Sequence, residues 1–562
     1  MGGFFSKERI TAPPAFNRWR VPPASIAIHL CIGSVYAWSV FNPPLMKLRG
    51  VVTSAAGDWS LTQVTWIFTV AIVSLGLSAA VAGRWMERVG PRTVGLAAAA
   101  CWGAGFLVSA LGTWLHQLPL LYLGYGVIGG IGLGLGYVSP VSTLIKWFPD
   151  RRGMATGLAI MGFGGGAMIA APLNEGLIRF FYRAPEFLGN EGLVRLSTDE
   201  QGVRHADLDG WPREVVVVGA KESAKMIKPG PPGVYAVGTG GVGVTETFLA
   251  LGGVYFIVMV LAAMSYRLPA ADWRPPGWEP TASHAARKMI SSKHVAVGSA
   301  LRTPQFYLLW LMLCFNVTAG IAVLGVAKTM MTDMFASALP QIVTAGFATV
   351  YVQMTSAANM VGRFFWSTAS DRIGRKTTYS IFFFVGAASY LSIPWIANQL
   401  AVSGSPTWLV VFYCVTMLIF TMYGGGFATI PAYLADLFGS RHVAPIHGIL
   451  LTAWSTAGVL GPIAITSLRE REVHRVIGSL TAAVAPADFE TKFGAPLAEL
   501  PALIKSNSVT IAKLMEIVPS GTPDPSSTLY NSTMCLMAGL LAIAFLANLF
   551  VVSVESRHHL DD

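Results

Sequence analysis

Stretches of about 20 apolar residues recur along nearly the whole chain, each long enough to carry a helix across a hydrocarbon core. They fall near 24-46, 61-83, 93-115, 119-145, 154-179, 247-267, 305-334, 342-366, 378-397, 408-434, 446-467 and 532-554, which makes twelve. With 53% hydrophobic and 12% charged residues in 562, a soluble domain is excluded. The fold class is an all-α membrane protein embedded in a lipid bilayer. Several spans contain Gly and Pro, which membrane helices accept because neighbouring helices and waters satisfy the freed backbone groups.

Orientation follows from Lys and Arg in the short connections. The N-terminus (Lys7, Arg9, Arg18, Arg20), the second connection (Arg84, Arg88, Arg92), the fourth (Lys146, Arg151, Arg152), the sixth (Arg274, Arg287, Lys288, Lys293, Arg302) and the eighth (Arg372, Arg375, Lys376) are basic and lie on one side. On the other side only Lys47 and Arg49 interrupt connections nearly free of cations. Both termini are therefore expected in the cytoplasm, in a plasma or bacterial inner membrane. The net charge of +10 is topological rather than a nucleic-acid footprint.

Two long polar segments, 181-246 and 468-531, occupy matching places at the last outer hairpin of each half and are expected to form an external cap. The first contains the run Val215-Val216-Val217-Val218 and a formal G-x-G-x-x-G, Gly238 to Gly243. A dinucleotide site needs a surrounding βαβ unit; here the glycines read as a short approach to a span. The second carries an amphipathic helix around Leu497-Met515. Cys31, Cys101, Cys314, Cys414 and Cys535 all sit in spans, which indicates packing rather than a disulfide framework. No metal-site spacing or nucleophile-base set stands out, so neither a cofactor nor an enzyme activity is indicated.

The chain repeats internally. Gly83-Arg84-Trp85-Met86-Glu87-Arg88-Val89-Gly90-Pro91-Arg92 follows span two, and Ser367-Thr368-Ala369-Ser370-Asp371-Arg372-Ile373-Gly374-Arg375-Lys376 follows span eight. Both read acid-Arg-x-Gly with further cations, which divides the chain into two pseudo-symmetric six-helix bundles. The expected division is a tail at 1-23, a first bundle at 24-267, a cytoplasmic linker at 268-304, a second bundle at 305-554 and a tail at 555-562. Repeats of this kind build elements that rock about a central site. An acid beside cations at a helix end can also latch the inner side through charge-assisted bonds, which makes Gly83, Glu87, Arg88, Gly90, Arg92, Asp371, Arg372, Gly374 and Arg375 gating candidates.

Arg363 follows a polar ladder of Gln353, Ser356 and Asn359 in an otherwise apolar span. An arginine there is costly unless it faces a partner, a wet cavity or an anion. If its helix runs on to Asp371, eight residues at about 1.5 Å each put Arg363 about 12 Å inside the boundary. That is deep for a loop charge; the alternative is an arginine that snorkels or braces the Asp371 motif. Span one offers His29, Gly33 and Tyr36 along one face with Trp38 on a neighbouring one, and span four offers Tyr137 after a glycine stripe at Gly126, Gly130 and Gly134. The stripe reads as close helix packing. Tyr36 and Tyr137 are site candidates, because a phenol donates to a carboxylate while its ring lines an apolar pocket. Lys328 becomes a second cation if it points inward and otherwise snorkels to the outer surface. Glu175, at the outer end of span five, binds a proton or pairs with Arg179. Pro172 and Gly461-Pro462 sit at corresponding hinge or packing positions.

The loop pattern resembles that of the major facilitator superfamily, G-x-x-x-D-R-x-G-R-R. Three stretches resemble more narrowly the oxalate/formate antiporter family and its monocarboxylate-transporter relatives. These are Gly33-Ser34-Val35-Tyr36-Ala37-Trp38-Ser39-Val40-Phe41, Lys146-Trp147-Phe148-Pro149-Asp150-Arg151-Arg152-Gly153-Met154-Ala155-Thr156-Gly157, and Asn359-Met360-Val361-Gly362-Arg363 leading to Ser370-Asp371-Arg372. The resemblance implies alternating access, a span-eight arginine that pairs with a substrate carboxylate, matched here by Arg363, and a monomer. Oxalate-transporting members place a lysine where this chain has Trp454. One arginine matches a monoanion, whereas a dianion would carry an unpaired charge. The implied cargo is thus formate, lactate, pyruvate or a similar monocarboxylate, moved with a proton or against a counter-transported anion. A dicarboxylate exchanger and a transporter-shaped metabolite receptor are the alternatives. His447, two turns before Trp454, is a switchable second charge or a neutral packing residue.

Overall fold

The computed structural model describes residues 10–13, 15–148, 152–208, 211–223, 226–270, 273–275, 294–439 and 442–560. Expected cations at Lys7, Arg9, Arg151, Arg287, Lys288 and Lys293, and Pro149 and Asp150 of the second resemblance stretch, lie outside them.

Twelve long helices run through the described residues. In the first half α1 spans Arg18–Val40, α2 Leu61–Val89 and α3 Pro91–Trp114. Helix α4 starts at Leu118, loosens to π-helical turns over Tyr122–Gly129 and continues over Gly130–Trp147; α5 spans Arg152–Phe181 and α6 Val244–Met264. In the second half α7 spans Pro304–Phe335, α8 Ala345–Ile373, α9 Arg375–Ser403 and α10 Pro406–Phe438. Helix α11 turns at Leu451 between Val443–Leu450 and Thr452–Thr481, and α12 spans Asn531–Leu549.

Several starts follow local chemistry. Ser60 and Gln63 form a reciprocal capping box at α2, and Thr303, Thr344 and Ser405 cap α7, α8 and α10. Ten helical segments are long and apolar enough to cross a membrane by composition; α5 and α8 are the two that fall outside that set. Helix α5 is glycine-rich and α8 carries the polar ladder, and they pack against each other where the halves meet. Helices α2 and α11 make the other long seam.

The repeat is visible in the backbone. Gly90 (φ 84°, ψ 162°) ends α2 and begins α3, and Gly374 (φ 88°, ψ 152°) does the same between α8 and α9. Both φ values favour glycine. The cations that follow match as well: Arg92 donates to the Tyr266 carbonyl at the end of α6 (3.2 Å), and Lys376 donates to the Leu549 and Val551 carbonyls at the end of α12 (2.7 and 2.9 Å). Each satisfies a helix C-terminus within its own half.

The two insertions pack on each other as a cap. The first is a five-stranded antiparallel sheet in the order β1-β5-β4-β3-β2, from β1 (Phe187–Gly189), β2 (Leu196–Thr198), β3 (Arg204–Leu208), β4 (Trp211–Val218) and β5 (Gly233–Ala236). The all-α description therefore applies to the membrane part, while β-branched residues form strands in the insertion. All its pairings are antiparallel, so the Gly238–Gly243 run lies in no βαβ unit; it turns the chain from β5 into α6. In the second insertion the single helix expected over Leu497-Met515 is broken into Leu497–Glu499, Leu500–Lys505 and Ile511–Leu514, with Asn507 left-handed at φ 58° between the last two. The insertions are joined where Arg204 donates to the Lys492 carbonyl (2.9 Å) and Ser508 to the Gly202 carbonyl (3.0 Å). Glu191 pairs with both Arg204 and Lys492, and Lys513 approaches Glu222 at 3.8 Å. Burial pushes the Lys513 ammonium and the Arg204 guanidinium below their ordinary values, against the pull of Glu222 and Glu191.

Candidate functional site

The α8 helix is continuous through Asp371, so Arg363 is held inside the bundle rather than in a loop. It is 1% exposed. Its Nε donates to Asn359 Oδ1 one turn earlier at 3.0 Å, its guanidinium carbon lies 5.1 Å from the Phe427 ring centre, and the Tyr36 hydroxyl is within its reach. Among the described residues no carboxylate pairs with it. Room for this side chain comes from glycines on the facing helices. A Cβ on Gly164 of α5 would stand 2.7 Å from Arg363 Nε, and one on Gly424 of α10 would stand 2.2 Å from the Asn359 carbonyl oxygen. Ser356, on the same ladder, ties α8 to α5 by donating to the Gly164 carbonyl (2.7 Å) and accepting from Met168 N–H (3.0 Å).

Around the guanidinium stands a closed ring of aromatics from both halves. The Tyr36 and Tyr423 hydroxyls bond at 3.1 Å, α1 to α10. Phe163 of α5 meets Tyr36, Tyr137 and Trp454 edge-on at 5.2, 5.7 and 5.6 Å, and Trp454 lies 4.7 Å from Phe427. Three buried nitrogens here have no acceptor: Arg363 Nη2, Asn359 Nδ2 and Trp454 Nε1. All are donors. An enclosure of apolar walls, one uncompensated guanidinium and unsatisfied N–H groups suits a small acceptor carrying negative charge and an apolar part.

Of the residues singled out in the sequence, Arg363, Asn359, Tyr36, Tyr137 and Trp454 come together here. Trp38 does not join them; it lies in the core of the first half against Tyr125 (4.5 Å) and Phe41 (5.7 Å). The reason is local: residues two apart turn to different faces on an α-helix and on the 3-10 stretch of Ser34–Val40 alike, so with Tyr36 facing the second half Trp38 is turned into the first. His447 is half-buried, and no hydrogen bond or ring contact joins it to the cluster; the turn at Leu451 separates its phase from that of Trp454. His29 is a packing residue, buried, with Nε2 3.2 Å from the Tyr137 carbonyl and its ring 5.5 Å from that of Tyr137. The glycine stripe packs α4 on α2: a Cβ on Gly130 would stand 2.5 Å from Ser74 Cβ and one on Gly134 2.0 Å from Ser78 Oγ. Phe163, Tyr423 and Phe427 escape sequence reasoning, because aromatic residues in an apolar span look alike whether they face lipid, core or cargo. The signal that could have found the last two is their four-residue spacing around Gly424-Gly425-Gly426 in α10.

In the second-half loop motif, Arg375 binds Asp371 (2.6 Å), Asp436 of α10 (3.2 Å) and the Ser370 hydroxyl, so these bonds brace one half internally. Arg88 and Arg372 are exposed. The side-chain surroundings of Gly83 and Glu87 lie outside the described residues. Lys328, expected to reach the surface if not the site, does neither. It is 5% exposed and pairs with Glu175, which also accepts from Thr349 Oγ1 at 3.1 Å. Glu175 thus has its ion pair with Lys328 and not with Arg179.

The profile of the Major Facilitator Superfamily matches residues 24–189 and 230–462. The oxalate:formate antiporter of Oxalobacter formigenes is 25% identical over 448 residues, 79% of this chain and 83% of that one. Apicoplast pyruvate carrier 1 of Toxoplasma gondii is 23% identical over 487 residues, covering 76% and 79% of the two chains. A bacterial homologue of the human lysosomal transporter Spinster, solved in an inward-facing and occupied conformation, superposes with a TM-score of 0.57 over 96% of this chain and 97% of that one, at 14% identity. Twelve helices in two halves, the glycine-linked repeat and the profile match agree: this multi-pass membrane protein belongs to the Major Facilitator Superfamily.

Proposed function

We propose that the protein is a secondary active transporter of small monocarboxylates, working by alternating access with its termini in the cytoplasm and its cap outside. One observation carries the reading: Arg363 is buried with no acid among the described residues to neutralise it, and the orphaned polar atoms beside it are donors. The missing partner is an acceptor with negative charge, brought by the solute. A carboxylate between Arg363 Nη2 and the Tyr36 and Tyr423 hydroxyls would break the bond that joins α1 to α10 and replace it with bonds to itself, so occupancy is felt by both halves. The aromatic walls suit formate or a short apolar tail such as that of lactate or pyruvate. Trp454 supplies a neutral donor where a dicarboxylate would need a second cation. Two relatives named for oxalate and formate and for pyruvate support the carboxylate class.

The test is counterflow of labelled formate, lactate and pyruvate in proteoliposomes. The expected result is saturable exchange with the wild type and loss by at least about a hundredfold in Arg363→Gln, since a charge-assisted fork to a carboxylate is removed. Undiminished exchange in that variant would defeat the assignment. Ligand binding without flux in the wild type would make the protein a receptor.

A further inference from the structure

The contact between Glu175, Lys328 and Thr349 lies away from the arginine cluster, at the cap end of the bundle. Glu175 stands six residues before the end of α5, Lys328 seven before the end of α7, and Thr349 four after the start of α8. Helix α5 belongs to the first half, and α7 and α8 to the second. The lysine side chain is 6% exposed and the glutamate side chain 18%. The same end is tied by Thr62 Oγ1 to Glu470 Oε1 (2.5 Å) and by Asn42 Nδ2 to the Gly325 carbonyl (2.8 Å), but Glu175 and Lys328 form the buried ion pair across it.

We propose that Glu175 and Lys328 form a proton-operated lock on the outer entrance, a role that rests on the transporter reading. With Glu175 ionised, parting α5 from α7 breaks the attraction of two opposite charges held in a little-solvated contact, and the entrance stays shut. A proton on Glu175 from the external side removes the attraction and leaves Lys328 buried with no counter-charge. The ammonium then gains by meeting water, so the protonated lock favours the outward-open state. Acid outside opens it; loss of the proton closes it.

The surrounding groups leave the two to each other. Arg179, one turn on in α5, is the other charge felt by Lys328. From α8 comes only the Thr349 hydroxyl. Asp333, farther along α7, is held by Arg469 (2.8 Å) and Tyr530 (2.9 Å), and Glu246 at the start of α6 by Arg183 (3.2 Å). The segment that follows α1 brings the uncharged amide of Asn42, bonded to the Gly325 carbonyl.

The test reads distance and needs no substrate. In a chain whose five native cysteines are replaced by alanine, spin labels are attached at Phe180→Cys and Gly346→Cys. Phe180 is 78% exposed at the cap end of α5, and Gly346 at the start of α8 has only Thr344 Oγ1 within 4 Å of an added Cβ, at 3.9 Å. In lipid, lowering the pH from about 7.5 to about 3.3 is expected to raise the ratio of long to short distances by up to about tenfold. Glu175→Gln is expected to show the long distance at both pH values, and Lys328→Met to lose the pH response. A distribution that ignores pH, or a Glu175→Gln protein that keeps the response, overturns the lock. Should Glu175→Gln fail to fold, Lys328→Met decides in its place: a lost response supports the lock and a kept one overturns it. A pH-driven shift in a protein without carboxylate counterflow would leave the lock standing and remove the transport reading; counterflow with an unresponsive distance would do the reverse.

Discussion

Arg363 in the membrane and Arg204 in the cap are both buried arginines, and they are treated in opposite ways. The Arg204 side chain, 11% exposed, is met by Glu191 and by the Lys492 carbonyl, so its charge is spent inside the protein. Arg363, 1% exposed, has an amide oxygen, a phenol and an aromatic face but, among the described residues, no acid. Burying a charge without its counterpart costs several kcal/mol. In the cap the fold removes that cost. In the bundle it is kept, and a passing anion relieves it. The comparison teaches that burial alone does not distinguish an architectural arginine from a binding one; what the protein leaves unpaired does.

The largest expected effect is a crossed one. Arg204→Met should keep counterflow within about twofold while lowering cap stability by about 2 kcal/mol, because Glu191 loses a partner but remains about one-third exposed to water. Arg363→Gln should do the opposite, with thermal unfolding unchanged or raised, since an uncompensated charge is gone. Unfolding midpoints by fluorescence, measured beside counterflow, decide it. An Arg363→Gln protein that unfolds far more easily would show that the arginine braces the bundle.

A smaller effect is expected where the charge is kept but its seat is filled. Gly164→Ala puts a methyl 2.7 Å from Arg363 Nε and 3.1 Å from its Cδ, so the guanidinium must shift. A displacement of this size should weaken apparent carboxylate affinity about tenfold without loss of folded protein. Gly176→Ala in the same helix, with nothing within 4 Å of the added carbon, is the control and should change nothing. Equal losses in both variants would point to general damage to α5.

How much of the molecule is legible in its sequence follows from the range of each signal. The spans are, because a hydrocarbon solvent imposes a length on every one of them. Arg363 is, because a charge among apolar residues is costly wherever it points. Pairing is not: nothing local says that Glu175 will meet Lys328, 153 positions away, or that Glu191 will meet Lys492. The cap sheet is hidden because its strands are only three to eight residues long, and its closing pair, β1 with β5, joins strands distant in the chain. Grouping Trp38 with the site passes over its two-residue separation from Tyr36, a step that turns a side chain to another face, here the core of the first half. The matched cation caps at Arg92 and Lys376 are partly readable as repeated order, but which carbonyls they serve depends on where α6 and α12 end.

The finest test of the comparison adds the missing charge. Trp454 stands in the ring with an unsatisfied Nε1, 4.7 Å from Phe427 and 5.6 Å from Phe163. Trp454→Lys would place an ammonium near Arg363, where two cations repel until a dianion joins them. Oxalate should then compete for labelled monocarboxylate about three- to tenfold better than in the wild type, while formate competes less well. The gain is bounded, because the lysine must be desolvated among aromatic rings and leaves part of the indole volume empty. The two competition constants, measured on one preparation, give a ratio that is insensitive to how much protein is active. A ratio that does not move would mean that the charge of Arg363 is matched without regard to what stands at 454, and the monocarboxylate preference would then rest on the size of the enclosure rather than on its charge.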